Sequence, residues 1–155
     1  RDALVTITSP TEYISDLSWS PDGTKIATVL TEDTPVVWSA LTGDKLFSLI
    51  GHTAEITALQ WSPDGSFIVV HANRTNDRES VRFSVNRNYD LWKINLADQQ
   101  ITQLTTGPGP DFSPRIAPDG KRLVCLSSPR RGPHMDVFNL LVVDLDGQGS
   151  FGREE

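Results

Sequence analysis

Apolar residues in this chain come in short clusters separated by turn-forming residues, and no stretch sustains the i, i+3, i+4 spacing of an amphipathic helix. Three clusters share one layout: a short apolar segment, the corner Pro-Asp-Gly, then a β-rich run. The segments before the corner are 14–19, 56–61 and 115–116, and those after it are 25–30, 67–70 and 122–126. The later runs, such as Ile68-Val69-Val70 and Leu123-Val124-Cys125-Leu126, are apolar almost without interruption. A strand with one wet face alternates, whereas a continuous apolar strand is covered on both faces. The pattern predicts a third strand at 36–38, 91–96 and 140–145, and a fourth at 45–50 and 100–104.

The corner has a mechanism. Proline presets φ at the first position, the aspartate bonds back to local backbone, and glycine takes the positive-φ position at little steric cost. Asp22 and Gly23, Asp64 and Gly65, and Asp119 and Gly120 are therefore expected to be structural turn residues. A second mark follows each corner: "SALTG" ending at Gly43, "NLADQ" at Gln99 and "DLDGQ" at Gln148. Four short antiparallel strands per unit of roughly 40–50 residues, buried on both faces, specify a β-propeller blade. A β-sandwich also has many short strands but does not need one turn at one place in every unit.

The predicted architecture is all-β, a β-propeller of about three four-stranded antiparallel blades. Blade one spans 12–50, blade two 55–105 and blade three 113–145. Blade three lacks its last strand and is followed by a tail at 146–155. Residues 3–7 are expected to form an orphan outer strand. That tally is an incomplete ring, so we expect either a fragment of a larger propeller or copies that assemble. In the second case each copy's 3–7 strand would enter its partner's unfinished blade.

The residues also carry a resemblance. Gly51-His52 followed by "ITALQWSPDGSFIVV" resembles the opening of a WD repeat, with Trp38 where that family places its Trp-Asp pair and Ser39 in place of the aspartate. "YDLWKINLADQQITQLTTGPGPDFSPRIAPDGKRLVCLS" resembles the WD-like repeats of TolB-type propellers, and also those of the N-terminal propeller of prolyl-oligopeptidase-family serine peptidases. The resemblance implies a propeller fold and leaves function open, because one architecture hosts many roles.

Composition narrows the class. The chain is 155 residues, 37% hydrophobic and 22% charged, as a globular domain is. A net charge of −6 argues against a nucleic-acid partner. No run is long and apolar enough for insertion in a membrane as a helix. Cys125 is the single cysteine, which excludes an internal disulfide, and its alignment with Thr28 and Val70 predicts a buried small residue rather than a nucleophile. The three histidines lack metal-ligand spacing, and no metal or cofactor is expected.

Candidate binding residues follow from loop length. In a four-stranded meander the Pro-Asp-Gly corners occupy one rim, while the second-to-third turns and inter-blade links occupy the other. Units two and three carry insertions on that second rim, "HANRTNDRESVRFSVNRN" and "SSPRRGPHMDVF", and the link "TTGPGPDF" opens there too. Loops on a rigid scaffold are where binding concentrates. The candidates are Arg74, Arg78, Arg82, Asp111, Arg130, Arg131, His134 and Asp136. Arginine's rigid fork suits a carboxylate or phosphate, and the bland reading is a set of mutually paired loop charges.

There is no G-x-S-x-G elbow and no phosphate-binding glycine loop, so the chain itself is not expected to be an enzyme. The expected function is a non-catalytic, TolB-like scaffold binding a protein or peptide on the loop rim. The alternative is a fragment of the propeller that gates substrate access in a prolyl-oligopeptidase-family serine peptidase. Expected partners also include the rest of a parent chain, or a second copy that completes the ring.

Overall fold

The computed structural model describes residues 4–8, 13–30, 34–50, 56–72, 89–107, 109–129 and 138–145. Among them there is no helix, and the strands form three antiparallel sheets. Sheet one is β1 (Ile14–Trp19), β2 (Lys25–Leu30), β3 (Pro35–Ser39) and β4 (Lys45–Ser48), in chain order. Sheet two repeats the meander with β5 (Ile56–Trp61), β6 (Phe67–Ala72), β7 (Asp90–Asn95) and β8 (Ile101–Gln103). Sheet three has β9 (Asp111–Ile116), β10 (Arg122–Ser127) and β11 (Asn139–Asp144). This is the blade architecture of a β-propeller.

The corner sequence explains the hairpins. Gly23, Gly65 and Gly120 lie at φ 69°, 75° and 72°, where only glycine is unstrained. Each donates its N–H three residues back, to the carbonyls of Ser20, Ser62 and Ala117. The aspartate before it accepts from the second amide onward, Asp22 from Thr24, Asp64 from Ser66 and Asp119 from Lys121. The Ser20 hydroxyl, with the Thr24 amide and hydroxyl, holds the Asp22 carboxyl well below the usual carboxylate range. Gly43 and Gln99 close the β3–β4 and β7–β8 turns at φ 80° and 57°.

Sheet two lies between the other two. Its Ile56, Leu59, Trp61, Ile68, Val70 and Ile94 pack with Ala27, Val29, Val37 and Leu49 of sheet one. On its other face Phe67, Val69 and Leu91 pack with Leu123, Cys125 and Val143 of sheet three. The continuous apolar run along β6 is thus covered on both sides, by sheet one and by sheet three. Burying one tryptophan such as Trp61 contributes on the order of 4 kcal/mol.

Two side chains fasten neighbouring first strands. Asp16 Oδ2 accepts from the Leu59 amide at 2.8 Å, and Gln60 Oε1 accepts from the Ile116 amide at 3.0 Å. These bonds place β1, β5 and β9 side by side in succession, as inner strands of consecutive blades.

Two boundaries differ from expectation. β9 begins at Asp111, ahead of the expected start at 113, because a bulge accommodates Ser113-Pro114. Phe112 pairs with Leu126 and Arg115 with Val124, leaving an extra residue in β9, and Ser113 sits at φ 54°. Residues 4–7 form no strand where an orphan strand was expected over 3–7, and among the described strands none pairs with them. They lie instead on blade one. Ile7 packs with Leu30, Val36 and Trp38, and a Cβ on Gly43 would stand 2.8 Å from Val5 Cγ1.

Candidate functional site

Counting from the turn glycine aligns the blades residue by residue. Nine positions before it stand Ile14, Ile56 and Asp111; seven after it stand their strand partners Leu30, Ala72 and Ser127. Blade three therefore carries a carboxylate where the others carry isoleucine. Asp111 is fully buried, and neither carboxylate oxygen has a hydrogen-bond partner. Its backbone N–H donates to the Tyr89 carbonyl at 2.7 Å, tying blade three to blade two. A buried charge without partners is among the most costly arrangements in a protein interior.

The surroundings of Asp111 come from strand ends on a single rim. His71 is the penultimate residue of β6, Tyr89 precedes β7, Phe112 follows Asp111 in β9, and Phe138 precedes β11. Their rings form a ladder across two blades. His71 lies 4.5 Å from Tyr89 and 6.3 Å from Phe112, and Phe112 meets Phe138 edge-on at 5.1 Å. His71 Nδ1 bonds with the Thr57 hydroxyl, and its Nε2 is buried without a partner. Burial pushes the imidazole down to about 4, so it is neutral near pH 7. Asp90, next to Tyr89, accepts from Gln103 Nε2, while Thr105 Oγ1 accepts from the Leu91 amide. These bonds brace the start of β7.

The segments 73–88 and 130–137, expected to carry the insertions, begin and end at strand ends on this rim. Of the expected binding residues, Asp111 is described. Arg74, Arg78, Arg82, Arg130, Arg131, His134 and Asp136 lie outside the described residues. The aromatic members His71, Tyr89, Phe112 and Phe138 are outside the expected binding set. A register count from the turn glycines finds His71, which stands where Val29 and Leu126 stand in the other blades.

The opposite rim is structural but not featureless. A cavity of about 510 Å³ opens between the corners of blades two and three, lined among others by Phe67, Lys93, Asn95 and Lys121. Lys93 lies over the Phe67 ring at 4.4 Å and donates to the Leu145 carbonyl. Asp64 and Asp119, also on its wall, are committed to their turns. Of the polar groups there, Lys93 ties blade two to blade three, while Asp64, Asn95 and Asp119 brace their own turns.

Chemically, the loop rim offers an aromatic floor beside buried polar groups. Among the described residues no group of three or more His, Cys, Asp or Glu could hold a metal ion. Cys125 is buried at the seam beneath, and burial, with the Asp111 charge, pushes its thiol up to about 12. A thiol so raised is not a nucleophile near neutrality. No helix among the described residues is long and apolar enough to cross a membrane.

Comparison with known proteins agrees with the repeat. Residues 2–39 and 43–75 match the family model "WD domain, G-beta repeat". A solved structure described as a TolB from Agrobacterium tumefaciens superimposes with a TM-score of 0.65 at 20% identity, over 93% of this chain. The chain spans 49% of that structure's length. In all, 691 solved chains match, so at this identity the likeness carries the fold alone. No curated protein matches.

Proposed function

From the premise that the chain is a WD-like, TolB-like β-propeller, we propose that it is a non-catalytic scaffold whose loop rim binds a protein or peptide. The ring ladder from His71 to Phe138 is the observation that carries this reading. Aromatic side chains are enriched where proteins recognise one another, since they contribute large contact area at small entropic cost. Phe138, at the outer end of the ladder, is exposed and free to meet a ligand. The inserted segments bearing Arg74, Arg78, Arg82, Arg130, Arg131, His134 and Asp136 join strand ends on the same rim, and in this reading supply the polar border of the surface.

The test is capture of partners on the purified protein, identified by mass spectrometry and compared between variants. Phe138→Ala and Tyr89→Ala lower the captured partner at least tenfold, while Lys121→Ala on the opposite rim leaves it unchanged. Equal capture by all three variants, or loss confined to Lys121→Ala, would overturn the reading.

A further inference from the structure

We propose that the partner of the loop rim enters it with a basic side chain, a lysine or an arginine, whose cationic head seats on Asp111 between blades two and three. This rests on the rim reading above and names the chemistry that the rim selects.

The repeat shows which way Asp111 faces. Its counterpart Ile56 belongs to one packed cluster with Val29 of the preceding blade. The counterpart of Val29 in blade two is His71, six residues after the turn glycine in both. Asp111 pairs with Ser127 and shares that face of sheet three with Cys125, which clusters with Val69 of β6, two residues before His71. The Asp111 charge is felt by the Cys125 thiol on the same face. Carboxylate and imidazole therefore look into one seam from its two sides. Neither is bonded to the other, for both carboxylate oxygens and His71 Nε2 are buried without a partner.

Those three atoms are acceptors. His71 is neutral near pH 7, and with Nδ1–H donated to the Thr57 hydroxyl its Nε2 carries a lone pair. A carboxylate facing a lone pair is matched by a group that brings positive charge and several N–H donors. An ammonium or a guanidinium does both, whereas an anion would meet only acceptors and like charge. Neither oxygen of Asp111 has a hydrogen-bond partner in this chain, so the matching cation comes from outside it. An unsatisfied buried carboxylate lowers stability and returns nothing within the fold, and such violations concentrate at functional sites.

The rings supply the way in. Exposure falls from Phe138 at 43% through half-buried Phe112 and Tyr89 to His71 at 8% and Asp111 at 0%. Aromatic faces attract a cation, and the methylene stem of lysine or arginine packs along apolar surface while its head goes to the charge. Rotation of the Tyr89 or Phe112 side chain, the scale of change that interfaces commonly make on binding, opens the last step to the carboxylate. The net charge of −6 draws basic partners toward the chain.

The probes are n-butylammonium and n-propylguanidinium, the heads of lysine and arginine, with n-butanol and n-butyrate as neutral and anionic controls. Amide shifts of isotope-labelled protein at constant ionic strength read binding. At least one cation saturates the shifts of His71, Tyr89 and Ser127 with a Kd on the order of millimolar, as suits so small a ligand, and neither control does. The tighter cation tells lysine from arginine. Asp111→Asn keeps the shape and removes the charge; it folds, verified by circular dichroism, and weakens cation binding and partner capture at least tenfold each. Saturation by neither cation, equal saturation by n-butanol, or undiminished cation binding in Asp111→Asn overturns the proposal. So does a loss of stability to urea in Asp111→Asn, because the carboxylate is then paired within the chain. The two readings fail separately. Capture lowered by Phe138→Ala and Tyr89→Ala but not by Asp111→Asn leaves the rim reading and overturns this one. Capture lowered by Asp111→Asn but by neither ring variant leaves this one and overturns the rim reading.

Discussion

Asp111 occupies in blade three the place of Ile56 in blade two: first residue of the inner strand, nine before the turn glycine, and buried at a blade seam. The isoleucine fills its seam with apolar contacts. The carboxylate offers two unpartnered oxygens to the same kind of seam.

Replacing it with blade two's residue should stabilise the fold. Asp111→Ile is expected to raise the unfolding free energy by about 1–3 kcal/mol, the cost of an unsatisfied buried polar group in proteins. Urea unfolding of the variant beside wild type measures it. A loss of stability on this substitution would mean that the carboxylate is compensated in the folded state.

The imidazole of His71 makes stability depend on pH. Its folded value is about 4 and its unfolded value 6.5, so above pH 6.5 both states are neutral and it contributes no slope. Between 6.5 and 4 the unfolded chain takes up the proton and the folded chain does not. Stability therefore falls as pH falls through this window, by on the order of 3 kcal/mol in total. His71→Leu, the residue of blade three at this register, should remove that part of the slope. Unfolding curves at pH 7, 6, 5 and 4.5 for both proteins give the difference directly.

Cys125 should be silent toward alkylating reagents. With its thiol raised to about 12 and its side chain buried, iodoacetamide at pH 8 should leave the native protein unmodified and label it fully in urea. Mass spectrometry after timed quenching checks this. Prompt labelling of the native state would show that the blade two–three seam opens.

Gln99 holds the left-handed conformation that Gly43 holds in blade one. A residue with a Cβ is strained there by about 1 kcal/mol. Gln99→Gly should recover up to about 1 kcal/mol, read as a rise in thermal midpoint, less the added freedom of the unfolded chain. Gly43→Ala should do the reverse, and more strongly, because its Cβ would meet Val5.

The strands were legible because their punctuation is local. Pro21-Asp22-Gly23 and its two repeats encode hairpins through φ and short-range hydrogen bonds, which a sequence displays openly. The site was less legible. Asp111 reads as one more charge beside a glycine- and proline-rich link, since Ser113-Pro114 hides the start of β9 and a bulge is needed to carry the strand through. Tyr89, Phe112 and Phe138 are spread over fifty residues and meet only because two sheets stack. No local pattern announces a contact of that range.

The bonds from Asp16 to Leu59 and from Gln60 to Ile116 run in one direction, each from a side chain of one blade to the backbone of the next. Every sheet is gripped only by its immediate neighbours, so stability accumulates along the stack as in a one-dimensional array. Among the described sheets the middle one, held from both sides, opens last. The amides of Ile68, Val69 and Val70, in the strand enclosed on both sides, are the last to trade their hydrogens with water.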